Sequence, residues 1–119
     1  MNKVVLYSLV GVFLGITLLN ARSNAGSEYD EGKTLYTSKC QFCHGIKGDG
    51  NGPAAFSLSP TPQNFTKADF WQKDVGEKIT TVVTNGKSPM PAFPLLPEEI
   101  KAIIYYMSHT FKPGSGSGS

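Results

Sequence analysis

Cysteine and histidine are scarce in this 119-residue chain, two of each, and the scarcity closes several routes. A tetrahedral zinc would have to take Cys40, Cys43, His44 and the distant His109, without the second closely spaced ligand pair that zinc modules carry. A thioredoxin-like dithiol belongs beside a βαβ pattern, and none is readable here. The chain has no dense basic run and no stacked aromatic pattern, which argues against a nucleic-acid surface. The glycine-rich stretch after residue 44 lacks the Lys and Ser/Thr that complete a phosphate loop, and no strand precedes it. Charge is equally uninformative about partners. The formal net charge is +2, but Lys3 and Arg22 fall in the leading segment, and without them nine basic residues face nine acidic ones.

What is present is the run Cys40-Gln41-Phe42-Cys43-His44. Two thiols three residues apart followed by an imidazole match the attachment pattern of a c-type haem. On a helical turn, positions i, i+3 and i+4 share one face, so both sulfurs can bond the two vinyl groups of a single porphyrin while the imidazole reaches its iron. One covalent haem c, with Cys40, Cys43 and His44 binding it, is the expected cofactor.

No apolar run approaches the ~20 residues that cross a bilayer comfortably. The stretch from Val4 to Leu19 is 16 residues long and is interrupted by Ser8, Gly11, Gly15 and Thr17. Preceded by Lys3 and followed by Ser23-Asn24-Ala25, it reads as a secretory signal over residues 1–25, cleaved before Gly26. A single Arg there rules out a twin-arginine signal. Export agrees with the haem motif, because bacteria make these thioether bonds outside the cytoplasmic membrane, and a periplasmic location is expected. An uncleaved leader would instead anchor the domain to the membrane. Residues 114–119 alternate strictly between Gly and Ser, which is the composition of a flexible linker or an expression scar. Residues 26–113 remain as one domain, of a size that is marginal on its own hydrophobic burial. Haem would supply part of its core, so the haem-free protein is expected to be poorly folded.

Ser27 to Lys39 reads as a helix, with Ser27 as N-cap, Glu28, Asp30 and Glu31 at the positive end of the dipole, and Gly32, Leu35, Tyr36 and Lys39 at helical spacing. Gly32 costs helix stability, which suggests close approach of another element. Four glycines between Gly45 and Gly52 make a tight loop beside a flat cofactor. Pro60-Thr61-Pro62 imposes an extended turn, and Phe65, Phe70 and Trp71 are candidates to wall the haem. Val75, Ile79, Val82 and Val83 fit one face of a helix over 74–84 that Asn85-Gly86 stops, although their β-branching leaves a strand open. Residues 87–97 hold four prolines and exclude regular structure. Pro97-Glu98-Glu99 then opens a helix whose apolar face carries Ile100, Ile103, Ile104, Met107 and Phe111.

Met90 lies between Pro89 and Pro91, where a rigid backbone can present a thioether to the iron opposite His44. Met107 is in register with the apolar face of the last helix and reads as core. His109 falls near the end of that helix, where a cation suits the dipole. His44 and Met90 are therefore the expected iron ligands. With both bound, the iron has no open position, which describes an electron carrier and not an enzyme. A gas sensor or haem enzyme is disfavoured, because only His109 remains for distal acid-base chemistry.

These residues resemble the class I mono-haem cytochromes c of the small bacterial periplasmic type. The similarity runs from Ser27 to Lys112 through Gly32-Lys33-Thr34-Leu35-Tyr36, Cys40 to Gly45, Gly48 to Pro53, Met90-Pro91-Ala92-Phe93, and Glu98-Glu99-Ile100 to Tyr106. The resemblance implies an all-α fold of three main helices wrapped around one haem. It also implies a crossing of the first and last helices at Gly32, with Tyr36 against Ile103 and Tyr106. A backbone carbonyl near Pro53 would receive the ring N–H of His44, and Trp71 would donate to a haem propionate. The function implied is respiratory electron transport as a monomer between redox protein partners, with a membrane-tethered subunit of a respiratory complex as the alternative.

Overall fold

Residues 25–39 of the computed structural model, which describes residues 25–116, form helix α1. Ser27 lies inside this helix and not at its cap, because Ala25 and Gly26 are already helical. The proposed leader, apart from Ala25, and the last three residues of the Gly/Ser tail lie outside the described residues. Helix α2 (Gln41–His44) follows almost without a break, then single 3-10 turns at Ala55–Ser57 and Ala68–Phe70, helix α3 (Val75–Asn85) and helix α4 (Pro97–Thr110). Among the described residues there is no strand, only an isolated bridge between Lys87 and Met90. The fold is all-α, with α1, α3 and α4 as its three main helices. No described helix is long and apolar enough to cross a membrane.

The α1–α4 crossing follows from one missing side chain. A Cβ at Gly32 would fall on the carbonyl of Ala102 and within 2.9 Å of the Tyr106 Cβ, so only glycine lets the two backbones approach this closely. One turn later Tyr36 is buried on the same face, with its ring 5.5 Å from that of Tyr106. Tyr29 closes the other side, its ring 5.2 Å from Tyr106 and its hydroxyl 3.1 Å from that of Thr110. Gly32→Val is expected to destabilise the holoprotein by at least ~1–3 kcal/mol, the cost of overpacking. Thermal unfolding would register this as a lower midpoint with the haem spectrum unchanged.

Helix α3 resolves the helix-or-strand ambiguity of its β-branched run. Its ends are well determined: the Asp74 carbonyl accepts the Lys78 N–H at 3.1 Å, and Gly86, at φ 72°, returns its N–H to the Val82 carbonyl at 2.8 Å. Ile79 and Val83 then point one turn apart into the core. Helix α4 opens with Pro97 at its first position, and the Glu99 carboxylate accepts the Leu96 N–H at 2.8 Å. Its inner face of Ile100, Ile103, Tyr106 and Met107 continues to Phe111 and joins Tyr36, Phe65, Ile79 and Val83 in one core cluster.

Candidate haem site

Helix α2 is short, and its backbone bonds fix the cysteine spacing. The Cys40 N–H donates to the Tyr36 carbonyl at 2.9 Å, while the Cys40 carbonyl accepts from Cys43 at 3.2 Å and from His44 at 2.9 Å. Cys40, Cys43 and His44 thus share one helical turn. The helix end leaves carbonyls without partners inside the helix. The glycine loop supplies them: Gly50 N–H donates to the His44 carbonyl at 2.8 Å, Gly52 to Cys43 at 3.0 Å, and Ala54 to Phe42 at 3.0 Å. Alternate residues of the loop therefore run alongside α2. A Cβ on Gly52 would collide with the Phe42 and Cys43 carbonyls, which explains why glycine stands there. Tyr36 ties the loop to α1, its buried hydroxyl donating to the Gly45 carbonyl at 2.8 Å. Burial holds that phenol above its usual range, so it stays a donor.

The imidazole of His44 is buried. Its Nδ1 lies 3.1 Å from the Gln63 carbonyl. A carbonyl can only accept, so the proton is on Nδ1 and the lone pair on Nε2. Burial lowers the affinity of the ring for a second proton and outweighs the opposing effect of the Gln63 bond. The ring is thus neutral and able to bind a metal through Nε2. Phe65 lies flat against it, ring centroids 4.5 Å apart and planes 21° from parallel.

No disulfide joins Cys40 to Cys43, and both side chains are partly buried. Burial, partly offset by Lys39, pushes the Cys40 thiol up to about 11, the opposite of the depressed value that a redox-active C-x-x-C pair requires. Among the described residues no three or more His, Cys, Asp or Glu side chains cluster together. Met90 sits in a tight turn where Met90 N–H donates to the Lys87 carbonyl at 2.8 Å and Lys87 N–H to the Met90 carbonyl at 3.0 Å. The turn is fastened to α3 by the Phe93 N–H, which donates to the Val83 carbonyl at 2.8 Å. Cys40, Phe70, Trp71, Val75, Met90 and Phe93 are all partly buried against the core cluster. Two thiols on one turn, a neutral imidazole and an apolar lining fit a covalently attached porphyrin.

The family model described as cytochrome C oxidase, cbb3-type, subunit III, matches residues 27–107. The chain belongs to this cytochrome c family. It is a small mono-haem class I member, with one covalent haem c, an all-α fold and a role as an electron carrier acting with redox partners. Its relatives include cytochrome c6 of Rippkaea orientalis, 35% identical over 103 residues that cover 83% of this chain and 84% of that one. A cytochrome c-553-like protein of Synechocystis sp. is 28% identical over 79 residues, which cover 66% of this chain and 65% of the relative. No solved structure matches significantly.

At the haem site two expectations change. The carbonyl that receives the His44 ring N–H belongs to Gln63 and does not lie near Pro53. The backbone of 50–54 is occupied along the end of α2, and the segment after Pro62 crosses the imidazole instead. Trp71 donates its indole N–H to the Phe65 carbonyl at 2.8 Å, so that donor is already engaged by the protein and not directed to a propionate. Met107 is buried in the core, and His109 is exposed, its Nδ1 donating to the Tyr105 carbonyl at 2.7 Å. The Phe65 stack was not singled out from sequence. The sequence marks Phe65 only as one of three aromatics able to wall the haem, after the Pro60-Thr61-Pro62 turn.

Proposed function

We propose that this chain is a one-electron carrier of periplasmic respiratory electron transport, with haem bonded to Cys40 and Cys43 and its iron held by His44 and Met90. The buried imidazole of His44, tethered through Nδ1 to the Gln63 carbonyl and one helical turn from both cysteines, is the observation that carries the reading. When bound, the haem supplies the Fe(III)/Fe(II) couple. The protein's part is to hold both ligands in one geometry for both states, and the fastenings of the His44 ring and the Met90 turn suit that part. Reversible spectroelectrochemistry of the holoprotein is expected to give a positive or mildly positive midpoint potential with a one-electron slope. Irreversible or substrate-dependent turnover would favour an enzyme instead.

Partners would approach the exposed haem edge. Phe42 and Ile46 flank Cys43 and His44 and are 66% and 71% exposed, and Lys39 and Lys47 lie beside them in sequence. With Lys87 from the Met90 turn, these exposed apolar and basic side chains would suit an acidic docking face. Reversing Lys39 and Lys47 to Glu is expected to slow reduction by such a partner about tenfold at low salt and to flatten its salt dependence. An unchanged rate would leave these lysines as ordinary solvated surface.

The description of the matching family, an oxidase subunit, favours one second reading, a membrane-tethered subunit. Sequencing the N-terminus of the exported protein separates the two: Gly26 at the start indicates a cleaved, free carrier, and an intact leader indicates a tethered one.

A further inference from the structure

The segment 63–65 forms a strap across the face of the His44 ring. The Gln63 carbonyl accepts the imidazole N–H at 3.1 Å, and the Phe65 ring stacks on the imidazole 4.5 Å away. Two further bonds hold the strap itself. The Phe65 N–H donates to the Gly48 carbonyl at 2.6 Å, and the Trp71 indole N–H donates to the Phe65 carbonyl at 2.8 Å. Gly48 belongs to the loop that runs back from α2, so that bond ties the strap to the haem-binding segment. Trp71 is the only side chain among the described residues that donates to the strap from a separate element. Its ring meets Phe70 edge-on, with centroids 5.2 Å apart and planes at 90°, and Phe70 in turn packs against Phe65 at 5.0 Å.

We propose that Trp71 is a positioning residue for the axial histidine: by holding the Phe65 carbonyl it fixes the strap that orients the His44 imidazole, and so helps to set the haem's reduction potential. This rests on His44 as an iron ligand. A hydrogen bond from Nδ1 to a carbonyl makes an imidazole a stronger donor to its metal. A stronger donor favours the ferric state and lowers the potential. The flat Phe65 ring limits rotation of the imidazole, and the plane of an axial imidazole governs how unpaired spin is spread over a ferric porphyrin. A strap released at Phe65 loosens both controls without removing a ligand.

Trp71→Phe keeps an aromatic ring against Phe70 and removes the N–H. In the holoprotein it is expected to raise the midpoint potential and to change the spread of the ferric haem-methyl proton resonances, with the low-spin spectrum retained. Phe65→Leu leaves the strap's backbone bonds and removes the flat face, and it is expected to redistribute the same resonances; it also serves if Trp71→Phe does not mature. Ile103→Val, on the buried face of α4, is expected to lower thermal stability with neither readout moved. A wild-type potential and methyl pattern in Trp71→Phe, or in Phe65→Leu should that be the variant that matures, would overturn the proposal while leaving His44 as ligand. Equal shifts in Ile103→Val would also overturn it, as an effect of general destabilisation. Wild-type holoprotein without a low-spin, histidine-ligated spectrum would overturn the ligand assignment and this inference with it.

Discussion

Replacing Met90 with His is expected to lower the midpoint potential by on the order of tenths of a volt, a substantial part of the ~0.8 V range that axial ligands command. A thioether is a soft, weak donor that favours Fe(II), whereas a second imidazole stabilises Fe(III). The change should be confined to the site. Met90 lies in a turn fastened by reciprocal bonds with Lys87 and by the Phe93 bond to α3, and these are backbone bonds that a new side chain leaves in place. The loop is also closely seated: a Cβ on Gly86 would lie 2.8 Å from the Ala92 nitrogen and 3.1 Å from the Met90 carbonyl oxygen, so the turn has little freedom to move away. Potentiometry on the two holoproteins checks this. An unchanged potential together with an unchanged spectrum would remove Met90 from the iron.

Loss of the haem is expected to abolish cooperative unfolding. The variant Cys40→Ser/Cys43→Ser removes both thioether anchors, and calorimetry on it should show no transition comparable to that of the holoprotein. A domain of this size has only ~5–15 kcal/mol of net stability to lose. Its core is one cluster, and Phe70, Trp71, Val75, Met90 and Phe93 border that cluster only partly buried. Burying apolar area against a porphyrin contributes roughly 25 cal/mol per Å², so a cofactor in contact with several of these side chains supplies stabilisation comparable to the whole margin. A sharp transition at a similar temperature would mean that the helices carry the fold by themselves.

Much of the site was legible because it depends on side-chain identity at fixed spacing. Cys40, Cys43 and His44 share a turn for the reason their spacing suggested, Gly32 marks the helix crossing, and the Pro97-Glu98-Glu99 opening leads into α4. The partners of His44 were harder to read because they are backbone atoms. Any residue offers a carbonyl, so nothing in the sequence distinguishes Gln63 from a residue near Pro53; the path of the loop decides. Glycine content pointed to tight turning but not to the pairing of Gly50, Gly52 and Ala54 with the end of α2, which depends on the register of one segment against another. Trp71 illustrates the same limit. Its N–H had to find an acceptor once partly buried, and the acceptor is the main-chain carbonyl of Phe65, which no side-chain pattern marks.

Whether a closed, low-spin haem is held between His44 and Met90 is read most directly from the absorption spectrum of the matured protein, ferric and ferrous, before and after carbon monoxide. The expected result is a c-type spectrum with a Met-to-iron charge-transfer band in the ferric state and no change on adding carbon monoxide. Prompt carbon monoxide binding would contradict it, because it would reveal an open iron position and a sensor or an enzyme in place of a carrier.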